Sequence, residues 1–273
     1  MPVQKSSLID FVLLIPCFNN KDGLIASLNS ISYPKEKFEV LIVDDGSTIP
    51  LNDQELKGKL RDMNIHVLRL DQNQGIVKAL NTGLAALKLR SDIKYIARLD
   101  AGDINHEQRF YKQVDFLNRY KEIALLASWA RFQNKTSTKG YDYITKTTHE
   151  NIKREMHLKC SFIHPSVMFR KEVIDIIGIY PENFPHAEDY AFFWKIMKVY
   201  KTAVIPEKLL WISYSDSNIS VENYKKQLRS RKKVVKELGN NWFKKIIGLA
   251  MLNLKLVLPK GMVQWLKSCI LPI

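Results

Sequence analysis

Two short apolar runs, Phe11–Pro16 (FVLLIP) and Val40–Asp45 (VLIVDD), constrain this chain more than any other feature. Both are rich in aliphatic residues and both break off at polar clusters. Runs of this length without alternation mark strands covered on both faces, as in a parallel sheet. Between them Lys21–Ser32 carries Leu24, Leu28 and Ile31 at helical spacing. A strand over His66–Leu70 follows, then a helix with Ile76, Leu80, Leu84 and Leu87, then a strand over Lys94–Leu99. The β-α-β-α alternation predicts an α/β fold, an open and mostly parallel central sheet flanked by helices. Its ligands are expected beyond the carboxyl ends of the strands.

Polar clusters sit at those ends: Pro16-Cys17-Phe18-Asn19, then Asp44-Asp45-Gly46-Ser47-Thr48, then Asp100-Ala101-Gly102-Asp103. A hydrophobic core does not require acids there. Asp100 and Asp103 would repel each other so close together, and a hard divalent cation, Mn2+ or Mg2+, bridging carboxylate and phosphate oxygens would relieve that. Read alone, the same spacing also suits a turn with a helix N-cap. Arg98, two residues earlier, either neutralises a phosphate or pairs with a structural acid.

At 273 residues the chain has room for a full core without covalent staples. Cys17, Cys160 and Cys269 are far apart and odd in number, which argues against a disulfide framework or a zinc cluster and for a reducing, cytoplasmic setting. Leu8–Ile15 reads as a first strand rather than a signal peptide, and no apolar run is long enough to span a bilayer. The segment Gln133–Glu150, polar and rich in threonine, reads as a mobile loop or excursion. The sequons at Asn134 and Asn218 read as chance matches.

The net charge of +14 belongs to one end. From residue 223 onward twelve Lys or Arg face one acid, Glu237, for +11, while residues 1–222 carry +3. The expected division is therefore a main domain over 1–222 and a basic, amphipathic, helical extension over 223–273. Bases cluster over Lys225–Lys236, and Trp242–Leu258 is apolar with Lys244, Gly248 and Lys255 on one stripe. Such a segment suits the interface of an anionic membrane, with lysines reaching the headgroups. A helix packed on the domain with a solvated basic face is the alternative.

The succession IPCFNN, VDDGST, NQGIVKALNTG, ARLDAGD, HPSVMFRK and AEDYAFFWK resembles the family-two inverting glycosyltransferases of the GT-A fold, over residues 11 to about 220. The resemblance implies a nucleotide-sugar donor, expected to be a uridine diphosphate sugar, and an acceptor hydroxyl on a glycan or lipid-linked glycan in cell-surface polysaccharide synthesis. It places Pro16, Phe18, Asn19, Asp44 and Asp45 at the nucleotide, with Phe18 where relatives usually carry Tyr. Asn73, Gly75 and Lys78, within an NxG…NxG helix entry completed by Asn81 and Gly83, are placed near the diphosphate. Arg98, Asp100 and Ala101 join the donor site, with Asp100 and Asp103 left as metal ligands. The usual Asp-Ala-Asp-Asp carries Gly102 at its third position here.

Glu188 and Asp189 precede the apolar run Tyr190–Trp194, where an acid also serves simply as a favourable helix-dipole partner. The resemblance makes Asp189 the general base and Glu188 its neighbour. His164 lines the donor or acceptor pocket on the same ground, although a His before Pro is also a common structural residue. Relatives often carry a His near a terminal S-I-S element; Trp211–Ser220 has none, leaving Asp216 or water to complete a metal shell.

Other readings predict features that are missing or misplaced. A sugar nucleotidyltransferase would carry a Gly-rich basic loop after the first strand, unlike Pro16–Asn20. A nucleic-acid-binding protein would spread its charge over a folded surface with stacking aromatics, whereas here it lies in the apolar extension. A degenerate, inactive transferase is the third reading, raised by Gly102 and the missing His.

Overall fold

A computed structural model describes residues 8–60, 63–134, 140–214 and 223–258. The run around Phe11 becomes β1 (Ile9–Cys17), which pairs in parallel with β2 (Phe38–Asp44) and with β4 (Ile93–Arg98). β3 (Ile65–Arg69) extends this parallel half beyond β2. The connections run through helices α1 (Lys21–Asn29), α2 (Asp53–Lys59) and α3 (Ile76–Lys88).

The unbroken apolar runs follow from burial on both faces. Phe11, Leu13 and Ile15 meet Leu24 and Leu28 of α1 and Leu56 of α2, while Val12 and Leu14 on the other face meet Leu80, Leu84 and Leu87 of α3. Each such leucine contributes about 1.5–3 kcal/mol by leaving water. Gly83 sets the approach of α3 to β1, because a Cβ there would lie 2.4 Å from Leu14 Cδ1.

Beyond β4 the strand directions mix. The order is β3-β2-β1-β4-β8-β6-β9-β5, with β5 (Ile104–Asn105), β6 (Ile123–Asn134), β8 (Met168–Arg170) and β9 (Lys201–Tyr214). β8 is antiparallel to both β4 and β6, β9 is parallel to β6, and β5 is antiparallel to β9. The polar stretch read as a loop holds a further strand, β7 (Gly140–Tyr143), antiparallel to β6. Alternating tyrosines form it: Tyr141 stacks on Phe132 at 4.9 Å, and Tyr143 Oη donates to the Cys160 carbonyl at 2.9 Å.

Helices α4 (Arg109–Arg119), α5 (His149–Glu155), α6 (Glu172–Ile176) and α7 (Glu188–Val199) complete the layers. α7 is apolar almost all round because it is buried between the sheet and the C-terminal helix α8 (Tyr224–Leu238), on which α9 (Trp242–Val257) packs in turn. Leu228, Val234, Val235 and Leu252 of those helices share the core cluster of Tyr190 and Trp194. Gly248 lets α9 close on the domain, since a Cβ there would meet the His157 carbonyl oxygen at 2.0 Å. The opposite side of α9 is apolar and open, with Trp242 73%, Ile246 57%, Leu254 54% and Val257 83% exposed. Among the described residues no helix is long and apolar enough to cross a membrane. Cys17 and Cys160 are buried free thiols, while Asp216, Asn218 and Cys269 lie outside the described residues.

Candidate active site

Because β2, β1 and β4 are parallel neighbours, the loops at 18–20, 45–51 and 99–103 leave the same edge of the sheet. Hydrogen bonds join them. Asn19 N–H donates to Ser47 Oγ at 2.9 Å, Thr48 N–H donates to Asn19 Oδ1 at 2.8 Å, and Asn20 Nδ2 donates to the Ala101 carbonyl at 2.7 Å. Ser27 of α1 clasps the last loop, giving its hydroxyl to the Asp100 carbonyl and accepting from Gly102 N–H. Gly46, with φ of +71°, lets the second loop press on Gln72, whose carbonyl carbon would lie 2.3 Å from an added Cβ.

The two acids of VDDGS have different tasks. Asp44 is fully buried and accepts from the Ser47 and Leu51 N–H groups and from Arg69 Nη1. Burial pushes its carboxyl up, but these donors outweigh it and hold the group below the ordinary carboxylate value. Asp45 accepts from Gln74 N–H at 2.8 Å and Gly75 N–H at 2.9 Å, fixing the entry to α3. Gly75 has φ of +88° and open space where a Cβ would stand, so a ligand can approach the backbone there. Phe18 is 46% exposed on the adjoining loop, and Pro16 is half-buried beside it. Asn73 and Lys78 are exposed around the start of α3, whereas Asn81 is buried in a two-way hydrogen bond with the Tyr180 backbone.

Arg98 ends β4 and is 1% exposed. It donates to Asp100 Oδ1 at 2.6 Å and to the Leu99 carbonyl, while its Nε has no hydrogen-bond partner among the described residues. Asp100 itself is 39% exposed, and Ala101 is half-buried next to it. Asp103 instead turns inward, 5% exposed, toward Arg109. Burial brings the Arg109 guanidinium down to about 9, with Asp103 raising it and Arg98 lowering it. Arg109 braces the floor through the Asn105 side chain and the Arg98 and Pro165 carbonyls.

The acid pair at the start of α7 lies within the electrostatic reach of Arg98. Glu188 is 8% exposed, and its Oε2 has no hydrogen-bond partner among the described residues. Burial first, and then the Asp189 charge, push the Glu188 carboxyl up to about 7. Burial also raises Asp189, against Arg231 and Arg98, which lower it. Tyr180 lies within the electrostatic reach of Arg98, Asp189, Glu188 and Asp100 together, and its hydroxyl is 2.9 Å from His164 Nε2. Burial, aided by Arg98, drives His164 well below its ordinary value, so it is neutral at pH 7.

Arg98, Asp100, His164, Glu188 and Asp189 are thus one constellation, joined through loop contacts to Asn19, Asp45 and Gly75. Asp44 and Asp103 lie underneath as buried supports. Tyr180, Ser27 and Arg231 are marked by no local motif in the sequence, and only distant chain contacts select them; Asn20 stands in the IPCFNN motif without a role that spacing reveals. Among the described residues no three His, Cys, Asp or Glu side chains form a metal cage. An ion carried by a diphosphate needs only one or two protein carboxylates. Asp100, open and beside the loops, fits that smaller role.

The sequence profile of Glycosyl transferase family 2 matches residues 12–178, more than half of the chain. The chain belongs to this family. An Escherichia coli relative, UDP-Gal:alpha-D-GlcNAc-diphosphoundecaprenol beta-1,3-galactosyltransferase, is 31% identical over 159 residues, covering 58% of this chain and 55% of its own length. The family 2 chain spans 31% and 55% of the lengths of two of the relatives it matches. Among solved structures, residues 1–349 of Staphylococcus aureus TarS in complex with UDP superpose with a TM-score of 0.66 at 18% identity, over 93% of this chain and 73% of that one. A Pyrobaculum calidifontis mannosyltransferase in complex with GDP-Man and Mn2+ gives 0.61 at 14% identity, over 90% and 68%. These structures share the GT-A architecture, so this family 2 glycosyltransferase has the α/β fold its strand pattern predicts.

Proposed function

We propose that this glycosyltransferase transfers a sugar from a uridine diphosphate donor to an acceptor hydroxyl with inversion, in one displacement, with Asp189 as general base. The observation that carries the reading is that buried Arg98 pairs with Asp100 and also acts electrostatically on the Glu188–Asp189 pair. The nucleotide would lie on Pro16, Phe18, Asn19 and Asp45, with its diphosphate near Gly75, Lys78, Arg98 and Asp100. Asp100 and the donor's own phosphate oxygens would hold Mn2+ or Mg2+, which when bound supplies Lewis-acid neutralisation of the departing diphosphate. Arg98 adds fixed positive charge from a buried position that water screens little.

Asp189 takes the proton of the acceptor hydroxyl as that oxygen attacks the anomeric carbon opposite the leaving group. Glu188, pushed up to about 7 by burial and the Asp189 charge, stands beside it and orients the acceptor. His164 stays neutral and hydrogen-bonds Tyr180 at the pocket wall. The acceptor is a glycan or lipid-linked glycan of cell-surface polysaccharide synthesis, as the name of the Escherichia coli relative supports.

The open apolar side of α9 supports peripheral attachment to the inner face of the cell membrane. Trp242, Phe243, Ile246 and Leu254 stand in solvent, flanked by Lys244 and Lys255 and by the exposed bases of α8. An apolar stripe rimmed with lysine suits anionic lipid, where the rings and aliphatic groups enter the acyl boundary. A screen of UDP-sugars with and without Mn2+, read by UDP release and by NMR of the product's anomeric configuration, tests the reading. Turnover of one donor with inversion supports it, and a retained configuration overturns it.

A further inference from the structure

α8 carries seven bases, and six of them, Lys225, Lys226, Arg229, Lys232, Lys233 and Lys236, fall on its outer half. Arg231 does not. Tyr224, Leu228, Arg231 and Val235 follow one another at intervals of four, three and four, the spacing of a single helical stripe. Leu228 and Val235 on that stripe are buried in the core cluster of Tyr190 and Trp194, so Arg231 points into the domain. It is half-buried, and no hydrogen bond or ion pair to a described residue holds it. Packing of α8 on α7 brings it to the start of α7, where its charge acts on Asp189, Tyr190 and Cys160.

We propose that Arg231 is a positioning residue of the active site: its guanidinium, delivered by α8, stabilises the Asp189 carboxylate that abstracts the proton, so residues 224–238 belong to the catalytic unit. The proposal rests on Asp189 being the base and adds a residue outside the family match, which ends at residue 178. The groups facing Asp189 are few. Glu188 adjoins it on α7, Cys160 approaches from the segment after α5, Tyr180 from the segment after α6, Arg98 from β4, and Arg231 from α8. Burial and Glu188 favour the protonated acid. The two arginines oppose them, together with the backbone N–H groups at the start of α7, of which Tyr190 N–H donates to Asp189 Oδ1 at 2.7 Å; Arg98 is already engaged with Asp100.

Carbon-13 labelling of aspartate carboxyls, with the Asp189 signal assigned by its loss in Asp189→Asn, follows the titration without any substrate. In Arg231→Met, which keeps the apolar stem, the Asp189 midpoint should rise by about one unit or more. Arg231→Lys should restore most of the difference, and Arg231→Gln serves if the Met variant does not fold. The acid limb of UDP-sugar hydrolysis should move to higher pH by the same amount. An unchanged Asp189 midpoint in the folded Met or Gln variant overturns the proposal. A shifted midpoint together with undiminished turnover in Asp189→Asn would keep the electrostatic link and discard Asp189 as the base.

Discussion

Arg98 Nη2 lies 2.6 Å from Asp100 Oδ1, and the same buried guanidinium acts electrostatically on the Glu188–Asp189 pair. One cation therefore serves acids from two distant parts of the chain. Arg98→Met should cost about 2–3 kcal/mol in urea unfolding, less than for a fully buried pair because Asp100 is open to water. Donor turnover should fall far more than that loss of stability accounts for. Wild-type turnover in the variant would show that Arg98 only supports the fold.

The raised Glu188 carboxyl has a defined sign in stability. Unfolded glutamate ionises near about 4.3, whereas folded Glu188 keeps its proton to about 7. Between those values the folded state binds the extra proton, so stability falls as pH rises. Thermal melts of the wild type should lose ground to Glu188→Gln from about pH 4.5 to 7 and run parallel above it. Identical pH dependence in the two proteins would contradict the burial argument.

Gly46 is where the second loop meets the turn before α3. Gly46→Ala combines a left-handed φ of +71° with a backbone contact of 2.3 Å, so the Gln72 main chain has to move. We expect a loss of about 2 kcal/mol or more and at least tenfold weaker UDP binding by calorimetry. Gly75→Ala, with open space at its Cβ, carries only the cost of its φ. Equal UDP affinity in Gly46→Ala and wild type would separate this loop from the nucleotide site.

The parallel half of the fold was legible because a strand buried on both faces leaves an uninterrupted apolar run, as in Phe11–Pro16. The antiparallel half was not, since β8 pairs with β4 and β6 across long stretches of chain and shows no comparable run. Acids at strand ends pointed to one edge of the sheet, where their loops do meet, but not to the task of each. Asp44 and Asp45 look alike in sequence, yet one is saturated by Ser47, Leu51 and Arg69 while the other anchors Gln74 and Gly75. Both helices of the basic extension pack on the domain, through Leu228, Val235 and Leu252, and α9 also leaves an apolar side open. Leu228 and Val235 dock on α7, whereas Trp242 and Ile246 face water.

That open stripe makes its own prediction. Trp242→Glu combined with Ile246→Glu should abolish co-sedimentation with phosphatidylglycerol vesicles while leaving the melting temperature within a few degrees, because neither side chain is buried. Neutral phosphatidylcholine vesicles should bind the wild type more weakly, and added salt should weaken the anionic case further. Equal binding of wild type and the double variant would remove α9 as the docking face.

The most direct test of the mechanism compares Asp189→Asn with wild type for UDP-sugar turnover and for UDP affinity by calorimetry. Turnover should fall by at least a hundredfold, within the usual range of general-base contributions, with affinity retained. Turnover equal to wild type at retained affinity would contradict the assignment of Asp189 as the group that takes the acceptor's proton.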